Sequence, residues 1–290
     1  MKLLITGAKG MLAKEVIEIF KNNNELILTD VSELDITNKQ NVDDFISKNK
    51  PDVIINCAAF TAVDKAETAG EIAEKINAIG PMNLAIAAKN NNAILVHIST
   101  DYVFGGNLDI SKAHKEDDIK EPVTAYGITK LHGEQNIENN TDKYYIFRTA
   151  WLYGIGGHNF VKTMLKLGNE HDEVSVVDDQ HGSPTYAKDL AEVIYKAVTM
   201  KIPYGVYNAT NEGFTTWADF TRTIFKYANI NCKVNSVSTE EYIKMMKVTQ
   251  AIRPKNSQLS KEKLASVGIK FPNWQDGLKR YLEEEKNSAV

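Results

Sequence analysis

The chain has 290 residues, 43% of them hydrophobic and 25% charged, the balance of a soluble globular protein with room for one large domain or two modest ones. Lysine and arginine number 34 against 38 aspartates and glutamates, a formal charge of −4, so the basic surface that nucleic acid demands is missing. Two cysteines, Cys57 and Cys232, are too few for a disulfide framework, and no run of about 18 apolar residues offers a membrane span. The opening MKLLITGAKG is stopped by glycines too early for a signal peptide, so the expected location is the cytoplasm.

In chain order, KLLIT, ELILTD, DVIINCAA, AILVHIST and KYYIFRTAW read as strands, with helical periodicity between them. That rhythm is a series of βαβ units, and the apolar runs are nearly continuous, as in strands covered on both faces. The fold expected is α/β: a Rossmann-type doubly wound parallel sheet over residues 1–152 with a returning segment near 184–205. Residues 153–290 then form mainly a smaller mixed α/β substrate lobe, ending in an amphipathic helix from about Trp274 to Lys286.

The first strand runs into TGAKGMLA, with Gly7 and Gly10 at the mouth of a helix. Glycines there let the backbone turn tightly and approach a pyrophosphate, whose charge the free amides of the helix N-terminus favour. Ala13 stands where a third glycine would give the closest helix packing. Asp30 closes the second strand, from which a carboxylate reaches ribose hydroxyls, favouring NADH, whereas Lys9 in the glycine turn leaves NADPH open. In LDIT, Asp35 and Ile36 are candidates to border the adenine.

The fourth strand ends in HISTDYVF, delivering Ser99 and Thr100 to the carboxyl edge of the sheet, where open α/β folds bind ligands. The polar stretch from Thr100 to Ala125 is long for a compact domain and reads as a working loop. The next helix opens with AYGITKLHGE, and its Tyr126 and Lys130, four apart, share a face. A free phenol has a pKa of about 10, and a nearby ammonium lowers it toward useful acid–base chemistry.

Other residues carry plainer readings beside the functional ones. His97, in an apolar strand, reads as a satisfied core position, and His114, His132, His158, His171 and His181 show no metal-ligand spacing with it. Asp64 and Glu67 suit a helix start. The planar fork of Arg253 in IRPKNS suits a diphosphate, or else belongs to a surface turn before a proline. Trp151 and Tyr153, at the end of the fifth strand, suit a sugar ring or base, or packing between lobes.

These stretches together resemble the extended short-chain dehydrogenase/reductase superfamily, and within it the dTDP-4-dehydrorhamnose reductase family. TGAKGMLA, LDIT, NCAAFTAVDKAE, NAIGPMNLA, HISTDYVFGG, YGITKLHGE, RTAWLYG, DDQHGSPT and RPKNSQLS follow that family's blocks in order across nearly the whole chain. The resemblance implies NADH or NADPH, a dTDP-linked 4-keto-6-deoxy sugar and reduction at C4. By position, Tyr126 is the implied proton donor, Lys130 its tuner and ribose contact, and Thr100 the partner of the sugar carbonyl. Gly10, Met11 and Leu12 are implied along the pyrophosphate, Ala59, Phe60 and Thr61 along the middle of the cofactor, and Asp101 and Trp151 against the sugar nucleotide. The resemblance also admits Mg2+ and a homodimer, although no carboxylate cluster marks a metal site. Two alternatives stay open: a nucleotide-sugar epimerase or dehydratase of the same superfamily, and a non-catalytic partner similar to the β subunit of methionine adenosyltransferase.

Overall fold

A computed structural model describes residues 1–247 and 250–288. Its first half contains the strands β1 (Lys2–Thr6), β2 (Glu25–Thr29), β3 (Val53–Asn56), β4 (Ile94–Thr100) and β5 (Tyr144–Thr149). Between them lie α1 (Met11–Phe20), α2 (Lys39–Asn49), α3 (Val63–Ala66), α4 (Gly70–Glu74), α5 (Gly80–Asn90) and α6 (Ala125–Asn140). The second half adds β6 (Leu152–Tyr153), β7 (Glu173–Val177), β8 (His181–Gly182), β9 (Thr185–Tyr186), β10 (Gly205–Asn208), β11 (Thr215–Thr216), β12 (Lys233–Val237) and β13 (Asn256–Ser257). Its helices are α7 (Phe160–Glu170), α8 (Ala187–Met200), α9 (Trp217–Ala228), α10 (Thr239–Met246), α11 (Glu262–Ser266) and α12 (Trp274–Ser288).

The main sheet has the order β10-β5-β4-β3-β1-β2, every pair parallel. Side chains alternate between its faces. Leu3, Ile5 and Val96 join α1 and α8 on one side, whereas Leu4, Ile54, Leu95 and Ile146 join α2 and α5 on the other. Leu3, Leu4, Ile5, Ile54 and Ile55 have no exposed surface, and burying each such side chain contributes roughly 1.5–3 kcal/mol. This is the doubly wound α/β architecture that continuous apolar strands imply. Strand order reverses between β1 and β3, so the ligand crevice opens above their carboxyl ends.

The chain returns to the main sheet after residue 152, in the segment around 184–205 and again near 264–271. Helix α8 packs on α1, β10 forms a sheet edge, and Leu264, Ile269 and Phe271 join the core beneath them. The remaining lobe has small sheets, β11-β8-β13, β12-β7 and β6-β9, around an aromatic core. There Tyr153 stacks on Tyr186 at 5.7 Å and meets Tyr281 edge-on at 5.2 Å.

Candidate active site

Residue 7 must be glycine for two reasons. Its φ is +63°, and a Cβ would lie 2.8 Å from the Ala58 backbone nitrogen at the end of β3. Gly10 is the N-cap of α1, so the first amides of that helix face the crevice without a side-chain cap. Beside this turn the Asp30 carboxylate accepts from the backbone nitrogens of Lys9 at 3.3 Å and Val31 at 3.0 Å. It lines a chamber of about 300 Å³ together with Gly7, Gly10, Val31, Asp35 and Ile36. Asp35 folds its carboxylate onto its own turn, accepting from the Thr37 amide at 2.9 Å, and Ile36 is 5% exposed with its carbonyl held by Asn83.

That chamber continues past Gly10, Ala58 and Ala59 into one of about 480 Å³ above β1, β3, β4 and β5. Met11, Leu12 and Thr61 line its wall, with Thr100, Tyr126 and Lys130 farther in. Phe60 is not among the wall residues; its backbone is clamped instead by the Asn77 side chain, which accepts from its nitrogen at 2.8 Å and donates to its carbonyl at 3.1 Å. Asn77 lies in a π-helical turn, Lys75–Ile79, against which α6 packs.

Helix α6 is positioned at three levels. The Thr124 side chain caps it, accepting from the Gly127 amide at 3.0 Å, and Glu67 accepts from the Ala125 amide at 3.0 Å. Farther along, Glu134 and Arg148 of β5 form a buried two-point ion pair at 2.9 and 2.7 Å. The Ser99 hydroxyl donates to the same Glu134, so Ser99 is committed to the scaffold, whereas the Thr100 hydroxyl lines the cavity, donating to Asp101 Oδ1 at 3.0 Å and accepting from the Tyr102 amide at 3.3 Å. Arg148 also donates to the Glu116 carbonyl at 2.8 Å, fixing the long loop after β4. Asn256 grips the same loop through the carbonyls of Asp109 and Lys112.

Tyr126 and Lys130 share the cavity, but the expected lowering of the phenol pKa is not found. Burial pushes the Tyr126 phenol up, its hydrogen bond with Thr100 opposes this, and Asp101 and Tyr102 add to the rise. Lys130 exerts no such pull because its amine turns into the sheet, donating to the Ile98 carbonyl at 2.6 Å and lying 3.2 Å from His97 Nε2. Burial brings Lys130 down to about 8. His97 is buried, as its apolar strand suggests, but it contacts the site lysine rather than merely filling the core.

A second chamber, of about 420 Å³, adjoins the first through Asp101, Tyr102 and Trp151. Asp101 is buried, and burial raises its pKa to about 6 against the opposing hydrogen bonds of Ser257 and Thr100. Trp151 adopts φ +49° and stacks on Trp217 at 3.7 Å, while a Cβ on residue 182 would strike its indole, so Gly182 makes room for it. Arg253 lines this chamber, donates to the Tyr102 hydroxyl at 3.3 Å and holds Asp64 through two bonds of 2.8 and 2.7 Å. Asp64 therefore serves as a link to the lobe besides starting α3, and Arg253 is not a free surface residue.

Sequence reasoning missed Asn56, Asn77, Glu134 and Arg148 as positioning groups, together with Trp217 and Gln180 in the second chamber. A polar residue at or next to the end of an apolar strand was the available signal for Asn56 and Arg148. Nothing local marked the others. Among the described residues, no group of three or more His, Cys, Asp or Glu side chains gathers as a metal site, and no helix is long and apolar enough to cross a membrane.

The family described as RmlD substrate binding domain matches residues 1–287. A crystal structure of a dTDP-4-dehydrorhamnose reductase from Clostridium acetobutylicum is 47% identical with a TM-score of 0.93, covering 99% of this chain and 100% of that one. The Bacillus anthracis enzyme of the same name, solved in complex with NADP, is 42% identical with a TM-score of 0.92 over 98% of this chain and 99% of its own. The dTDP-4-dehydrorhamnose reductase of Aggregatibacter actinomycetemcomitans is 41% identical over 293 residues, 96% of this chain and 97% of that protein. Matches of this length take in both the glycine turn and the lobe, and the chain belongs to the dTDP-4-dehydrorhamnose reductase family.

Proposed function

We propose that the protein reduces the C4 keto group of dTDP-4-dehydro-L-rhamnose to dTDP-L-rhamnose with NADH or NADPH, in the cytoplasm, as a step toward a cell-surface polysaccharide precursor. The observation that carries this reading is the meeting of the two chambers: Thr100 and Tyr126 stand in the first, and Asp101, Tyr102 and Trp151 belong to both. A keto sugar seated in the second would bring its carbonyl to the hydroxyl and phenol of the first.

The residues present suit a nicotinamide dinucleotide, since the Gly7 turn leaves space that a Cβ would fill and the α1 amides await an anion. Gly10, Met11 and Leu12 would flank its pyrophosphate, Asp30, Asp35 and Ile36 its adenosine end, and Ala59, Phe60 and Thr61 its middle, with the Phe60 backbone held in place by Asn77. Asp30 favours the ribose hydroxyls of NADH. When bound, the reduced cofactor supplies a hydride to C4.

Tyr126 then gives its proton to the developing alkoxide, so hydride and proton together convert the ketone to an alcohol. A phenol held above its ordinary pKa is fully protonated at neutral pH, the form an acid needs, and it still donates readily to a more basic alkoxide. Thr100, turning its hydroxyl from Asp101 Oδ1, donates to the carbonyl oxygen and aligns it with the phenol. Lys130 would hold the nicotinamide ribose, and Arg253, released from or shared with Asp64, would bind the diphosphate. Residues 1–152 with the segment 184–205 bind the cofactor, and 153–290 mainly bind the sugar nucleotide. A homodimer is part of this reading, but Mg2+ has no fitting set of side chains within one described chain, and no step passes through it.

Purified protein mixed with either reduced cofactor and the 4-keto sugar nucleotide should consume the nicotinamide absorbance in proportion to product. No consumption with either cofactor across pH would refute the assignment. A panel of dTDP- and UDP-linked 4-keto sugars fixes the nucleotide and sugar preference.

A further inference from the structure

The donors and acceptors around Lys130 form a closed chain whose directions can be assigned. Asn56 Oδ1 receives the Ala58 backbone amide at 3.2 Å and the Thr6 hydroxyl at 2.7 Å. A backbone amide only donates, so this end of the Asn56 side chain is its oxygen and the other is its NH2 group. That NH2 group faces His97 Nδ1 at 3.0 Å. Nδ1 therefore accepts, and a neutral imidazole must carry its proton on Nε2. Nε2 lies 3.2 Å from the Lys130 amine, which itself donates to the Ile98 carbonyl at 2.6 Å.

An Nε2–H group needs an acceptor, and a neutral amine has a lone pair to offer. An ammonium has none. The charged imidazolium is no way out, because burial and then Lys130 hold the His97 pKa well below its ordinary value. We propose that His97 is a positioning residue that weakens the hold of Lys130 on its proton, by pointing Nε2–H at the amine, with Asn56 fixing the ring in that tautomer.

When Lys130 takes up a proton from solvent, one of two adjustments follows. Either the amine swings off Nε2, or the ring proton moves to Nδ1 against the Asn56 NH2 group. Each loses a buried hydrogen bond, and the proton is bound less tightly. The other groups around the amine do not reverse this. Glu134, on the same helix, raises the lysine pKa but is engaged by Arg148 and Ser99. On the cavity side stand Tyr126 from α6, Asp101 and Tyr102 from the turn after β4, and Cys57 after β3, whose thiol burial pushes up to about 12.

The inference deepens the reductase reading and rests on it for its kinetic consequence, whereas the tautomer is a property of the protein alone. Long-range 1H–15N spectra of histidine-labelled, cofactor-free wild type, recorded above about pH 8, should show His97 protonated at Nε2. A signal from the Nδ1–H tautomer would overturn the proposal. His97→Gln offers Lys130 a carbonyl oxygen that accepts from the ammonium. Its alkaline fall in kcat/KM should lie about one pH unit higher than in wild type. A folded variant with an unmoved alkaline limb also counts against it. If neither protein turns over substrate, the reductase assignment fails while the spectra still decide the tautomer.

Discussion

The nucleotide half and the lobe bury similar kinds of side chain by different means. Around the main sheet, aliphatic residues from strands of four to seven residues alternate between two helix layers, and each strand finds a parallel neighbour in register. In the lobe, two-residue strands and an aromatic cluster are drawn together from Tyr153, Tyr186, Phe220, Trp274 and Tyr281. Repetition specifies the first and long-range contact the second. The groups proposed to react stand on the regular half, and the lobe contributes the wall facing them, which suits a fixed chemistry joined to an adaptable binding surface.

Substitutions on the two sides should separate these contributions. Tyr126→Phe removes the proposed acid and should lower kcat about 10²- to 10⁴-fold. Its unfolding free energy should move by no more than about 1 kcal/mol, since Thr100 loses one hydrogen bond. Equal damage to folding, read by denaturant titration, would make the phenol structural. Glu134→Ala strands Arg148 inside the regular half and should cost about 3–5 kcal/mol of stability by the same titration.

On the lobe side, Arg253→Ala should raise KM for the sugar nucleotide about tenfold with kcat little changed, because its fork is proposed to bind an anion rather than take part in the reaction. A fall confined to kcat would place Arg253 in the wrong half of the comparison. The smallest effect expected is in pH. Burial brings Lys130 in the folded chain down from 10.5 to about 8, so the buried charge and its proposed contribution to ribose binding fade as pH rises through about 8. The sign for stability is opposite: between about 8 and 10.5 the unfolded chain binds more protons at this residue, so its contribution to folding becomes more favourable with rising pH. A kcat/KM profile and a series of melts over the same range check both signs.

The five central strands were legible because each is an uninterrupted apolar run, and the helix bearing Tyr126 and Lys130 because its spacing and N-terminal turn are local. Strand β10 was not, since Gly205–Asn208 has no pattern apart from its pairing with β5. Asn77 and Phe60 meet across 17 residues, and Asn56 and His97 across 41, distances at which periodicity is silent. Spacing placed Tyr126 beside Lys130 but could not reveal which way the amine points, and that direction changes the acidity expected of the phenol.

Gly133 has a consequence for anyone moving this chemistry to another scaffold. A side chain there would collide with the Asn77 carbonyl oxygen, so α6 lies flush on the π-helical turn only while that position is bare. Grafting the tyrosine and lysine alone would leave the helix standing off its seat and the phenol out of reach of a ketone. The portable unit is the tyrosine, the lysine and, one turn beyond, the gap.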